Sequence, residues 1–248
     1  MCELFGLSAA NPIHAEEPLC ELRRHGGLTA DNPDGWGLAW WGDGAFQLAK
    51  EPLPAHQSGL FQDLCGTVRS SLIIAHIRKA KFPPVNTLDN THPFQRTCCG
   101  KGWVFAHNGL VPDIVGMEQA NTCPICQPSG ETDSEYAFCH LLGHIAEAAR
   151  HSLDAGSGNP FTTVAATSEL IASHGQFNFL LSDGEYLIAY GHDRLHYRED
   201  ANSAMIATEP LSGNGSWLAF VQGELRVYRS GRIAGRILTQ PSGQVAAR

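Results

Sequence analysis

Positive charge is scarce in this sequence. Only 17 Lys and Arg stand against 25 Asp and Glu, a formal net charge of −8. The basic footprint by which proteins hold nucleic acid is missing, so no nucleic-acid partner is expected. Long apolar runs are missing as well. No stretch approaches the roughly 18 residues of a membrane-spanning helix, which argues against a membrane partner. The N-terminus lacks the basic segment and apolar core of a secretory signal. The chain is therefore expected in the cytoplasm, and secretory lipidation of Cys2 is not expected. In that reducing compartment most of the eight cysteines (2, 20, 65, 98, 99, 123, 126 and 139) should be free thiols rather than a disulfide framework.

What the chain does have is glycine, 26 in 248 residues. That length suffices for a substantial core, and no repeat, low-complexity block or linker divides it. It reads as one domain over 2–248. Hairpin signals dominate. "WGLAWWGDGAFQLAK" at 36–50 and "FNFLLSDGEYLIAYG" at 177–191 are apolar runs around Asp-Gly turns, and "GELRVYRSGRI" at 223–233 is a third candidate. "SLIIAHIRKA" (71–80), "WVFAHNG" (103–109) and "SAMIATEPL" (203–211) read as strands. Helices are fewer. One is predicted over 131–150, opened by a Thr132–Glu135 capping box, with Phe138, Leu141, Leu142 and Ile145 at helical spacing. Others are predicted over 162–174 and 17–24, and 112–130 reads as a long surface loop. Antiparallel strands with a few helices give an α+β domain.

Cys2 follows Met1 directly. Removal of Met1 would place a thiol and a free α-amine on one residue. Their reference pKa values, about 8.5 and about 7.7–8.0, make proton transfer between them nearly balanced. One residue can then supply nucleophile and base. Acyl transfer also needs donors for an oxyanion. "AHNG" (106–109) offers the Asn108 side-chain amide and the Gly109 N–H at a strand end. Arg78 of "AHIRKA" ends another strand, where its fork of donors suits a carboxylate. Asp133 at the helix start could pair with an ammonium.

"MCELFG", "DGWG" (34–37), "AHIRKA" (75–80), "NTHPF" (90–94), "AHNG" and "GETDSE" (130–135) occur in this order. Together they resemble the class II glutamine amidotransferases, and the chain is similar to their stand-alone branch nearly end to end. The resemblance implies an αββα sandwich of two antiparallel sheets flanked by helices, the N-terminal nucleophile hydrolase fold. It implies Cys2 as nucleophile, with Asn108 and Gly109 as oxyanion hole. Arg78 would grip the α-carboxylate of a small γ-glutamyl substrate, Asp133 its α-ammonium, and His92 would line the pocket. No cofactor is implied. Lys79 after Arg78, and Lys81-Phe82 after Ala80, depart from the synthase-linked members.

Other readings stand beside these. His76 and His107, inside apolar strands, read as hydrogen-bonded core or supporting residues. Trp36, Trp40 and Trp41 read as hairpin packing. Cys123-Pro-Ile-Cys126 has the spacing of half a zinc site, but adjacent Cys98 and Cys99 make an awkward second half, because successive strand side chains point apart. No metal is expected. The expected activity is hydrolysis of a γ-glutamyl amide, glutamine or a conjugate. The alternatives are a glutaminase subunit serving a separate synthase and a non-catalytic glutamine-binding module.

Overall fold

A computed structural model describes residues 1–120, 125–155, 160–213 and 215–240. The chain runs β1 (Glu3–His14), α1 (Glu16–His25), β2 (Trp36–Gly42), β3 (Ala45–Glu51), α2 (Gly59–Thr67), β4 (Arg69–Ile77), β5 (Phe94–Cys98), β6 (Lys101–Leu110) and α3 (Asp113–Gln119). It continues with α4 (Asp133–Ala155), α5 (Pro160–Ala172), β7 (Gln176–Ser182), β8 (Tyr186–Gly191), β9 (His196–Glu199), β10 (Ser203–Ala207), β11 (Leu218–Ala219), β12 (Glu224–Arg229) and β13 (Arg232–Leu238). The first sheet has seven strands in the order β11-β9-β10-β1-β4-β2-β3, and the second has six, β13-β12-β8-β7-β6-β5. Neighbouring strands pair antiparallel throughout.

Three apolar layers explain the stacking. Leu4, Leu72, Ile74, Val104, Ala106, Leu180 and Ile206 fill the space between the sheets. Alternate residues of the same strands face outward. Phe5, Leu7, Ile73 and Ala75 meet Leu19 and Leu22 of α1 and Phe61 of α2. Phe105, Phe177 and Phe179 meet Phe138, Leu141 and Leu142 of α4, with Ile171 of α5. Phe105 stacks on Phe138 at 5.0 Å between ring centroids. Because both faces of the central strands are covered, they read as continuous apolar runs rather than alternating ones. This is the αββα sandwich.

Turn chemistry sets the registers. Asp43 and Gly44, at φ 54° and 78°, close the β2–β3 hairpin, the positive-φ pair that matches strand twist. Ser230 and Gly231 do the same between β12 and β13. Helix α1 carries Glu16 and Glu17 in its first turn and Arg23, Arg24 and His25 in its last, complementing its dipole.

Two expectations need correction, and a third holds with one exception. The 112–130 stretch is not all loop: α3 occupies Asp113–Gln119, its Ile114 and Glu118 buried one turn apart. Gly116 and the preceding Pro112 mask that short pattern. The capping box is half formed. Thr132 Oγ1 accepts from Glu135 N at 3.3 Å, but the Glu135 carboxylate accepts from Ser129 N and Gly130 N and pairs with Arg96. The thiol expectation holds for Cys2, Cys20, Cys65, Cys98 and Cys99, whereas Cys126 and Cys139 form a disulfide that ties the 125–130 segment to α4. Cys123 lies outside the described residues.

Candidate active site

Antiparallel pairing gathers the residues singled out above. Glu3 of β1 faces Ile77 of β4 in register. Cys2, just before β1, therefore lies beside Arg78, just after β4. Asn108 and Gly109 end β6 in the opposite sheet, and Asp133 begins α4. A cavity of about 310 Å³ opens here, lined among others by Cys2, Arg78, His92, Gly109 and Asp133.

Cys2 Sγ accepts a hydrogen bond from Lys79 N at 3.2 Å and reaches the Lys79 carbonyl at 3.3 Å. Burial pushes the thiol above its ordinary pKa, against the Lys79 N–H, the N-terminal charge and Arg78, which all favour the thiolate. The residue that departs from the synthase-linked pattern thus meets the sulfur through its backbone. Its side chain turns outward to Asp31.

Arg78 is 7 % exposed. Its Nη1 donates to the Asp34 carbonyl at 3.2 Å and to Asn86 Oδ1 at 2.8 Å. The Asp34 carboxylate in turn accepts from Ala80 N at 2.8 Å and from Asn86 Nδ2 at 3.4 Å. Burial lowers the Arg78 pKa, opposed by Cys2 and Asp34. Among the described residues Arg78 forms no salt bridge.

Asp133 is held by backbone donors. Val111 N gives Oδ2 a hydrogen bond at 2.7 Å, and Ser134 N reaches Oδ1 at 3.0 Å. Beside it, His107 contacts the Gln176 carbonyl through Nε2 at 3.1 Å and Ser134 Oγ through Nδ1 at 2.8 Å. Only a protonated Nε2 can meet a carbonyl, so Nδ1 accepts from the serine. Burial holds this imidazole below its usual pKa despite Asp133 and the Gln176 carbonyl. His107 is the hydrogen-bonded supporting residue expected, and it also lines the cavity.

His92 is buried, its ring tilted against His76 at 4.2 Å and against Phe94 at 4.4 Å between centroids. Among the described residues neither imidazole makes a close hydrogen bond, although the His107 backbone lies near enough to His76 to favour its charged form. Desolvation pushes His76 down to about 3 and His92 well below its usual value. Both are neutral at pH 7. Gly37 of "DGWG" admits the segment that carries His92: a Cβ there would lie 2.1 Å from the His92 carbonyl oxygen.

Asn108 bridges the sheets. Its Nδ2 donates to the Cys2 carbonyl at 2.7 Å and to Thr208 Oγ1 at 3.2 Å, and Thr208 Oγ1 also accepts from Leu4 N at 2.9 Å. Asn108 itself is buried and does not line the cavity, whereas Gly109 does. Gly109 has φ 155°, and a Cβ there would lie 2.0 Å from the Gln176 carbonyl oxygen. Glycine is required at this crossing.

Sequence reasoning missed the residues that hold this set: Asp34, Asn86 and Thr208. Asp34 lies in "DGWG", part of the ordered motif set, and Thr208 in "SAMIATEPL", which reads only as a strand. Asn86 has no local signature.

Known proteins resemble this chain in sequence and in fold. The family model described as class II glutamine amidotransferases matches residues 1–200. YafJ of Escherichia coli K12, assigned as a glutamine amidotransferase, is 34 % identical over 92 % of this chain and 97 % of its own length. The γ-glutamyl-hercynylcysteine sulfoxide hydrolase of Mycobacterium tuberculosis is 28 % identical over 75 % of this chain and 71 % of its own. A Pseudomonas aeruginosa crystal structure, assigned as a glutamine amidotransferase, covers 94 % of this chain and all of its own at TM-score 0.68 and 27 % identity. Glutamine phosphoribosylpyrophosphate amidotransferase of B. subtilis shares the fold at TM-score 0.69 and 17 % identity, over 96 % of this chain and 49 % of that longer one. Sequence, fold and neighbours converge: the chain belongs to the class II glutamine amidotransferases.

Proposed function

We propose that this enzyme hydrolyses a γ-glutamyl amide through a thioester on Cys2, releasing glutamate. One observation carries the reading. A single cavity presents a thiol, a guanidinium free of carboxylate partners and a carboxylate held by neutral N–H groups: Cys2, Arg78 and Asp133. A zwitterionic α-amino acid supplies the complement, its carboxylate to Arg78 and its ammonium to Asp133. The γ-carbonyl then falls to Cys2. The name of the mycobacterial relative supports a γ-glutamyl compound.

Loss of Met1 frees the Cys2 α-amine, which takes the thiol proton as sulfur attacks the γ-carbonyl carbon. The Gly109 N–H faces the developing oxyanion. Asn108 adds a second donor by turning the hydrogen now on the Cys2 carbonyl. The collapsing intermediate expels the amine, which leaves with the proton. Water then cleaves the thioester.

The test is a glutamate-release screen across glutamine, γ-glutamyl amides and γ-glutamyl peptides, with intact mass of the active protein. Release of glutamate by protein lacking Met1, abolished in Cys2→Ser, is expected. Full activity in protein shown to retain Met1 would overturn the mechanism. Release from none of these compounds would overturn the substrate class.

A further inference from the structure

The geometry points to Asn178 as a positioning residue of the oxyanion hole, acting through the Asn108–Gly109 peptide. The inference rests on the reading above, in which the Gly109 N–H meets the oxyanion.

Asn178 lies on β7 directly opposite Asn108 in register and is 1 % exposed. Its Nδ2 donates to the Asn108 carbonyl at 3.1 Å. That carbonyl belongs to the same peptide unit as the Gly109 N–H, and a peptide unit is planar and stiff. A hydrogen bond on its oxygen therefore fixes where its N–H points. It also polarises the unit, which strengthens the N–H as a donor.

The other end of Asn178 is equally committed. Its Oδ1 accepts from three successive backbone groups, His192 N at 2.8 Å, Asp193 N at 3.0 Å and Arg194 N at 3.3 Å. Three aligned N–H dipoles on one oxygen make a concave positive site. They draw electron density toward Oδ1, so Nδ2 donates more strongly. The second Nδ2 hydrogen goes to Asp193 Oδ1 at 2.7 Å, which leaves the side chain no freedom to turn. Dipoles thus run in line from residues 192–194 through Asn178 and the Asn108 carbonyl to the Gly109 N–H. A packing role would need none of this alignment.

The experiment compares Asn178→Ala, Asn178→Asp and Asn108→Ala. Asn178→Asp keeps an acceptor for the three N–H groups and loses the donor to Asn108; made together with Asp193→Asn, so that no two carboxylates meet, it carries the test if Asn178→Ala does not fold. Both variants are expected to lower kcat by about tenfold with KM nearly unchanged, below the roughly 10²–10³-fold of removing a donor outright. A γ-aldehyde analogue of glutamate, which adds the Cys2 thiol to form a thiohemiacetal, should lose affinity by a similar factor, while glutamate itself binds as before. A merely structural role would weaken both ligands together or neither. If Asn108→Ala lowers kcat and folded Asn178→Asp does not, this inference falls and the proposed function stands. If neither lowers kcat, the oxyanion assignment falls, and this inference with it.

Discussion

Arg78 and Arg226 are buried to the same 7 % exposure, yet their surroundings differ in kind. Arg226 sits at β12, where Nε meets Glu224 at 2.8 Å and Nη1 meets Glu199 at 2.9 Å. Its guanidinium also lies 3.4 Å from the Tyr197 ring centroid. Arg236 closes the cluster on Glu224. Arg78 has only a carbonyl and an amide oxygen. Burial disfavours both charges. At Arg226 Tyr228 and Glu224 outweigh it, so the pKa rises, whereas at Arg78 it falls. A buried charge satisfied within the chain is structure. At Arg78 the hydrogen bonds come from neutral oxygens, and the Asp34 charge acts from a distance without outweighing burial.

Exchanging each arginine for glutamine breaks the comparison most sharply. Arg226→Gln leaves Glu224, 1 % exposed in its side chain, with Arg236 as its remaining cation, and should cost about 1.5–3 kcal/mol in urea unfolding, the worth of a charged hydrogen bond. Arg78→Gln should leave unfolding unchanged and lower kcat/KM by about 1.5–3 kcal/mol, the worth of a charge-assisted hydrogen bond. An Arg78→Gln protein that unfolds like Arg226→Gln would remove the distinction.

Asp133 is the anionic counterpart of Arg78, and Asp133→Asn sharpens the comparison. Its Oδ1 can still accept one of the two backbone bonds, so the fold should persist. The expected loss in kcat/KM is again about 1.5–3 kcal/mol, confined to substrates with a free α-amine. A substrate lacking the amine should be poor for the wild type and scarcely worse for the variant. If the two losses simply add, Asp133 does not touch the ammonium.

The smallest effect concerns neutral groups. His92 is kept uncharged by burial, with a folded pKa below its unfolded value of about 6.5. The unfolded chain therefore binds the extra proton below pH 6.5. The stability this provides is complete above that pH and drains away as pH falls toward the folded value. His92→Gln should reduce proton uptake on unfolding at pH 5 by about one, read from the pH slope of stability. An unchanged slope would mean that His92 is already charged in the folded protein.

The strand-borne site was legible because each chemical residue sits where an apolar run stops: Arg78 after "SLIIAHI", Asn108 and Gly109 after "WVFAH", Asp133 at a helix start. Periodicity finds such ends. Asn178 was not legible, since "FNFLLS" reads as any buried strand and its role comes from lying across from Asn108 in register. Helix α3 was hidden by its length, seven residues with a glycine inside. The Cys126–Cys139 pairing was hidden because spacing does not fix connectivity. Asn86 lies on a segment without periodic signal, and only its contacts with Arg78 and Asp34 reveal it.

The bond from Asn108 to the Cys2 carbonyl, braced by Thr208, joins residues about a hundred positions apart. Strand β1 lies between β4 and β10, so its second flank stays open until residue 207 exists. At the ~5–20 residues per second of synthesis, that takes roughly 10–40 s. Through this interval Asn108 can already be present, but Thr208, which accepts from both Asn108 Nδ2 and Leu4 N, is not. The topology orders assembly: the strand beside Cys2 is flanked by β4 early and by β10 late.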